Sequence, residues 1–289
     1  MVAAPYPAAL PVTLVRDAVA RALAEDLGLS GDLTSQATLA PDATAIAVMS
    51  ARDAGIVCGF DLAEEAFRQT GPGTGFERLV AEGSAVAAGR DIARISGNAR
   101  LVMSAERVAL NFMTHMSGIA TLTRTYAEAL GGTGARICDT RKTTPGLRAL
   151  EKYAVRCGGG SNHRYGLDDA ILIKDNHIAV AGGAGNAVRA ARAFAGHLVA
   201  IEVEIDRLDQ LEEVLEAGAT AVLLDNMDNA SLRKAVEQNR GRARLEASGG
   251  VTLERLRGIA TTGVEFISTS RITMAATPLD IGLDVTING

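Results

Sequence analysis

Between Asp139 and His177 the chain reads DTRKTTPGLRALEKYAVRCGGGSNHRYGLDDAILIKDNH, a window holding seven Lys or Arg and two of the protein's four histidines. Cations set beside glycines and strand ends, in a chain of formal net charge -5, point to a local anion site. They argue against a nucleic-acid surface, which needs a broad basic face. Arg141, Lys142, His163, Arg164 and Lys174 would form a cationic wall, and guanidinium forks suit planar carboxylates or phosphates. Opposite them, the carboxylates of Glu204 and Asp225 could hold sugar hydroxyls, bind a divalent ion or face a developing positive charge. Backbone amides in the run Ser248, Gly249, Gly250 and in the turn Thr269, Ser270, Arg271 could cradle a phosphate. Such a set describes a site for a phosphorylated sugar and an acidic co-substrate.

A periodic series of elements must bring these residues together. From about Arg136, the short apolar runs RICD, AILIK, VAIEVE, AVLLD, RLEA and EFIS alternate with helical patterns such as DRLDQLEEVLEAG. Strand-helix units in series predict a parallel sheet. Their spacing, without a dinucleotide fingerprint, favours a closed or nearly closed β/α barrel. GGAGNA at residues 182–187 follows no strand directly and predicts a plain helix-start loop. In a barrel, chemistry sits at the C-terminal ends of the strands, where these polar residues fall. Polar residues also follow strands simply because loops are polar. Charged residues ending nearly every apolar strand make that explanation weak for the set.

The front of the chain lacks this alternation. Residues 11–27 predict an amphipathic helix, 43–52 and 55–59 strands, and 62–69 a short helix. Residues 82–103 read as small antiparallel β structure, from Gly and Asn punctuation between alternating apolar residues. A long helix is expected over 104–130, with Gly118 marking a break or a close helix contact. The fold expected is α/β: an N-terminal α/β sandwich domain over 1–112, joined by 274–289, and an incomplete parallel β/α barrel over 113–273.

Composition narrows the class. With 289 residues and 47% hydrophobic content, the chain can bury a sizeable core. Three prolines and no basic lead before an apolar run at the N-terminus give no secretory signal, and no segment is long enough to span a bilayer. Cys58, Cys138 and Cys157 are odd in number and far apart, suggesting neither a disulfide framework nor a zinc site. Cys138 and Cys157 read as packing residues, and a reducing cytoplasm is the expected setting. Aromatic content of 3% removes the stacking platforms of single-strand nucleic-acid binders.

The runs EDLGLSGDLTS, SGIATLT, DTRKTTPGLRALEKYAVRCGGGSNHR, LIKDNH, LLDNM and EASGGV, in consistent order from about Leu14 to Val285, resemble the quinolinate phosphoribosyltransferase family. The long DTRKT to HR block and the KDNH tetrad are not generic barrel features. The resemblance implies transfer from phosphoribosyl pyrophosphate to quinolinate with decarboxylation, giving nicotinate mononucleotide, pyrophosphate and CO₂ for NAD synthesis. It implies a homodimer whose sites are shared, Arg107 of ERVALNF arriving from the neighbouring subunit. Quinolinate would lie against Arg107, Arg141, His163, Arg164 and Lys174, with Thr140 beside them. Lys142 and Lys174 would also contact phosphate or pyrophosphate. Glu204 and Asp225 would take the ribose hydroxyls and the magnesium-bound diphosphate, with Mg²⁺ carried by that diphosphate and not ligated directly by protein. Ser248, Gly249, Gly250, Thr269, Ser270 and Arg271 would take the 5-phosphate.

The chain departs from the family pattern after its last barrel strand. Where members often carry a glycine-containing SxGxLTHS-like turn, it reads STSRITMA, with Ser270 at the glycine position and Met274 in place of His. A side chain at Ser270 would be strained if φ had to be positive there. Two other readings stay open at this stage. Lys174 could be the Schiff-base lysine of a barrel aldolase, or the chain could be a non-catalytic ligand-binding paralogue.

Overall fold

The computed structural model describes residues 8–288. The chain divides into two compact units, one of residues 1–122, 149–158 and 276–289, the other of 123–148 and 159–275. The sequence places a boundary at 112/113, whereas this division falls at 122/123 and adds 149–158 to the first unit.

In the first unit, α1 (Val12–Leu27) buries Val15, Ala18, Val19 and Leu23 along one stripe and ends at Gly28, whose φ is 53°. A short α2 (Leu33–Thr38) is capped by Asp32, whose side chain accepts from the Ser35 amide. Strand β1 (Thr44–Ala51) alternates exposed and buried side chains, as a half-covered antiparallel strand must. The expected strand at 55–59 shortens to β2 (Gly55–Ile56). The Val57 amide still donates to the Ser84 carbonyl, but the amides after it bond to side chains: Cys58 to Ser117 Oγ, Gly59 and Phe60 to the Glu82 carboxylate. Those last two bonds open α3 (Phe60–Thr70), followed by β3 (Gly75–Arg78), β4 (Ala85–Val86) and β5 (Arg90–Asn98). The sheet runs β12-β1-β5-β3, where β12 (Ile281–Asn288) brings the end of the chain antiparallel to β1.

Antiparallel structure was expected as far as residue 103, but helix α4 (Ala99–Ala129) starts earlier. Asn98 Oδ1 accepts from the amides of Arg100 and Leu101, and such an N-cap outweighs the strand-like alternation of residues 99–103. The helix runs through Gly118 without a break. Glycine is needed there because a Cβ would collide with the Thr277 carbonyl.

The second unit holds β6 (Arg136–Cys138), β7 (Ala170–Ile173), β8 (Ala200–Ile205), β9 (Ala221–Asp225), β10 (Arg244–Ser248) and β11 (Phe266–Ser268). They form a six-stranded sheet in the order β6-β11-β10-β9-β8-β7, with every adjacent pair parallel. This is the expected incomplete barrel. Between β6 and β7 the chain passes through α5 (Arg148–Cys157) and an isolated bridge pairs Cys138 with Ser161. Helices α6 (Asp175–Ala181), α7 (Ala184–Phe194), α8 (Gln210–Glu216), α9 (Asn229–Asn239) and α10 (Leu253–Ala260) fill the crossovers, and α11 (Arg271–Met274) follows β11. GGAGNA is the expected helix start, with Gly182 and Gly183 at positive φ immediately before α7.

Two-residue periodicity decides what the barrel presents. Val203, Ile205, Val222, Leu224, Leu245 and Ala247 are buried, alternating along their strands with Glu202, Glu204, Leu223, Asp225, Glu246 and Ser248, which line cavities.

Candidate active site

A cavity of about 460 Å³ lies at the C-terminal ends of the strands. Its wall includes Thr140, Lys142, His163, Lys174, Glu204, Asp225, Ser248, Gly249, Gly250, Thr269 and Ser270. Sequence positions more than a hundred residues apart thus meet at one mouth. Arg141 and Arg164 belong to the same unit but are not in this wall: Arg164 lines a neighbouring cavity of about 240 Å³, and its Nη1 donates to the Ala170 carbonyl at 3.1 Å. Arg271 starts α11 next to this wall in sequence, and Arg107 lies exposed on α4 in the first unit.

Each group at the mouth is held by a definite local device. Lys174 precedes α6, and its backbone N–H donates to His177 Nδ1 at 2.9 Å, so the KDNH run is a helix start with histidine as its reciprocal cap. The Lys174 ammonium donates to Glu204 Oε2 at 2.7 Å, with the lysine side chain 46% exposed. A half-exposed, ion-paired lysine is not the desolvated amine that Schiff-base chemistry requires, so the aldolase reading gains no support. Asp225 ends β9 and accepts from Asn226 Nδ2 at 2.7 Å. Asn226 stands at φ 55°, a left-handed geometry that Asn tolerates better than most residues.

The glycine turn is sterically required. Gly249 has φ +88°, and a Cβ there would collide with the Asn226 side chain and backbone. At the other phosphate candidate, the Thr269 amide donates to the Cys138 carbonyl and the Arg271 amide to Thr269 Oγ1. Those two amides are spent inside the fold, which narrows the expected nest to Gly249, Gly250 and Ser270. The strain considered for Ser270 does not arise, since its φ is -77°, in the right-handed helical region.

Arg141 and Arg164 carry the clearest electrostatic signal. Each has a buried Nε with no hydrogen-bond partner. Burial, followed by the neighbouring Arg141 charge, pulls the Arg164 guanidinium below its usual range. Two like charges with orphaned donors are costly unless an anion joins them.

His163 is placed differently from a member of a cationic wall. Its Nε2 lies 2.8 Å from Glu202 Oε2, and the Arg164 backbone N–H donates to its Nδ1 at 2.8 Å. A nitrogen that accepts cannot carry a proton, so this geometry suits the Nε2–H tautomer. The backbone N–H of His163 and the side chain of Asn162 both donate to buried Asp139. Sequence reasoning passed over Asp139, Glu202, Asn226 and Glu246. The signals available were a carboxylate closing RICD, the i, i+2 pair of glutamates in AIEVEI, and Asn after the last carboxylate of AVLLD.

Glu204 and Asp225 offer hard oxygen donors on one side of the mouth, the donor type that suits a magnesium ion carried on a diphosphate. The three cysteines are buried and form no disulfide, and burial pushes the Cys58 thiol up, away from thiolate chemistry. Among the described residues no helix is long and apolar enough to cross a membrane.

Comparisons with known proteins agree with this arrangement. Residues 32–117 match the model of the quinolinate phosphoribosyl transferase N-terminal domain, and residues 119–284 match that of its C-terminal domain. A Mycobacterium leprae nicotinate-nucleotide pyrophosphorylase (carboxylating) is 43% identical over 275 residues, covering 93% of this chain and 96% of that protein. A probable enzyme of the same name from Bacillus subtilis is 43% identical, with 91% of each chain covered. The structure of the nicotinate-nucleotide pyrophosphorylase from Francisella tularensis superposes with a TM-score of 0.92 at 40% identity, over 96% of this chain and 98% of that one. With both domain models matched in order and relatives aligned over nearly their full length, the chain belongs to the quinolinate phosphoribosyltransferase family.

Proposed function

We propose that the protein transfers the phosphoribosyl group of phosphoribosyl pyrophosphate to quinolinate and decarboxylates the adduct, giving nicotinate mononucleotide, pyrophosphate and CO₂. The observation that carries this reading is the pair of buried, unpartnered Arg141 and Arg164 Nε donors in the unit whose mouth presents Glu204, Asp225 and the Gly249 turn. The paired guanidinium groups suit a dicarboxylate, and the mouth suits a phosphorylated sugar.

The residues divide the work by charge. The amides of Gly249, Gly250 and Ser270 anchor the 5-phosphate. Glu204 and Asp225 face the ribose, where positive charge grows as the bond from C1 to the pyrophosphate oxygen breaks. Lys142 and Lys174 stabilise negative charge on the departing diphosphate. Glu204 and Asp225 are the residues that would face a magnesium ion carried on that diphosphate, which when bound would supply further charge neutralisation. The pyridine nitrogen forms the new bond to C1. Once the nitrogen is quaternary, the C2–carboxylate bond breaks, CO₂ leaves, its electron pair stays on C2, and a proton from solvent or a lysine completes the product. Arg141 and Arg164 clamp the carboxylates so that the nitrogen faces C1, a positional contribution of several kcal/mol.

The working assembly we propose is a cytoplasmic homodimer with shared sites, each completed by Arg107 of the second copy, with no nucleic-acid or membrane partner. Support comes from the match to both family domains. Mixing Arg107→Ala and Glu204→Ala chains is expected to recover activity by placing both intact residues in one site. Well-folded mixed dimers that stay inactive would rule out sharing.

The test of the reaction is purified protein with phosphoribosyl pyrophosphate, Mg²⁺ and either quinolinate or nicotinate, following nucleotide and CO₂. Product is expected from quinolinate alone. Comparable product from nicotinate would overturn the two-carboxylate reading of Arg141 and Arg164.

A further inference from the structure

Phosphoribosyl transfer and decarboxylation make no use of Glu202 and Glu246, two carboxylates inside the barrel. Glu202 lies on β8 and Glu246, 7% exposed, on β10. With His163 they form a cluster whose nitrogen and carboxylate oxygens lie within 4.8 Å of one another. Glu246 Oε1 is buried and has no hydrogen-bond partner when both carboxyls are taken as ionised acceptors. His163 Nε2 is 3.8 Å from it, while donating to Glu202 at 2.8 Å. A single proton resolves the arrangement: on Glu246 Oε1 it turns the orphan acceptor into a donor, with a Glu202 oxygen within 4.8 Å. The electrostatics agree, since burial and then the Glu202 charge push the Glu246 carboxyl up to about 7.

His, Glu and Glu are also the composition of a divalent-metal site. The hydrogen bonds argue against that use. A metal on Nε2 needs that nitrogen free of its proton, which puts a proton on Nδ1. There the Arg164 N–H already points at 2.8 Å.

We propose that Glu202 and Glu246 are positioning residues that hold one proton between them, pin His163 as the neutral Nε2–H tautomer, and through its Nδ1 fix the backbone of Arg164. The chain of bonds runs from the barrel interior to the guanidinium that clamps quinolinate. It is joined by Asp139, which accepts the His163 N–H at 2.9 Å. His163 thus serves the site without adding a charge. This inference rests on the quinolinate reading for its kinetic consequence and on hydrogen-bond geometry alone for its spectroscopic one.

The experiment uses the full chain with ¹⁵N-labelled histidine. Its four histidines give a small spectrum, and a His163→Gln sample assigns the signal. Wild-type protein is expected to show His163 neutral with the proton on Nε2. Glu202→Gln keeps a carbonyl acceptor for that proton and should preserve both tautomer and kinetics, as should Glu246→Gln, which mimics the protonated acid. Glu202→Leu should lose the tautomer and raise KM for quinolinate about ten- to a hundredfold, the loss of a hydrogen bond to a charged group, with KM for phosphoribosyl pyrophosphate within about twofold. An imidazolium, an Nδ1–H ring or a stoichiometric metal on His163 in the wild type would overturn the proposal. So would a Glu202→Gln chain with an altered tautomer, or a folded Glu202→Leu chain with tautomer and KM unchanged. If wild-type protein fails to turn over quinolinate, the functional reading falls while the spectrum still decides the network.

Discussion

At the mouth of the barrel, at or just past the strand ends, the lining side chains are Lys174, Glu204, Asp225, Ser248 and Ser270. Four residues earlier in each case stand Ala170, Ala200, Ala221, Arg244 and Phe266, around a cavity of about 240 Å³ at the opposite end. Two alternations of a strand therefore separate a polar surface built for anions and a sugar from one that is mostly apolar. The difference teaches that the sheet supplies position while the identity of its ends supplies chemistry. His163 lines both cavities, and Glu202 and Glu246 meet it from the smaller one.

The largest effect should separate two arginines that line the smaller cavity, one with an orphaned buried Nε and one exposed at its rim. Arg164→Leu is expected to lower kcat/KM for quinolinate about a thousandfold, roughly 4 kcal/mol, by removing one member of a desolvated charge cluster. Arg244→Leu at the rim should leave it within about threefold, as for a solvent-exposed side chain away from the substrate. Equal losses in steady-state assays would erase the distinction.

Stability should also respond to pH through the interior. With the Glu246 carboxyl raised from 4.5 to about 7, the folded protein binds more protons than the unfolded chain between those values. Stability from this group therefore falls as pH rises through that window, by at most about 3 kcal/mol above pH 7. Thermal melts at pH 5 and pH 8 should show Glu246→Gln losing less stability than wild type between the two. Parallel behaviour would mean that Glu246 is ionised throughout.

At the phosphate turn, Gly249→Ala is expected to cost about 2 kcal/mol from backbone strain, and to raise KM for phosphoribosyl pyrophosphate more than KM for quinolinate. A variant with wild-type affinity would remove the turn from the site. Ser270→Gly marks the small end of the scale: with φ at -77° the serine is unstrained, so activity should stay within about twofold and stability within about 1 kcal/mol. A large gain in activity would show that the serine hinders the phosphate.

Much of the mouth was legible because strand ends are written in the chain. AVLLD and AIEVEI announce both a buried strand and the carboxylate that terminates it. The alternation that defines the barrel could be read by counting. Less visible were features that depend on where a proton or an amide is spent. The Thr269 and Arg271 amides looked like phosphate donors until Cys138 and the Thr269 hydroxyl accounted for them. His163 looked cationic beside Arg164, yet the Arg164 amide itself occupies its Nδ1. Glu202 and Glu246 carried the pattern of inward strand positions, but only their meeting in space with His163 gives them a task. At residues 99–103 the Asn98 cap overrode a strand-like pattern, a local bond winning over periodicity.

The claim that the mouth couples sugar transfer to decarboxylation has one direct test. Quinolinate labelled in its 2-carboxylate, mixed with enzyme, Mg²⁺ and a limiting amount of phosphoribosyl pyrophosphate, should release labelled CO₂ and pyrophosphate in equal amounts, alongside nicotinate mononucleotide. Label retained in the nucleotide, or CO₂ released without pyrophosphate, would contradict the account.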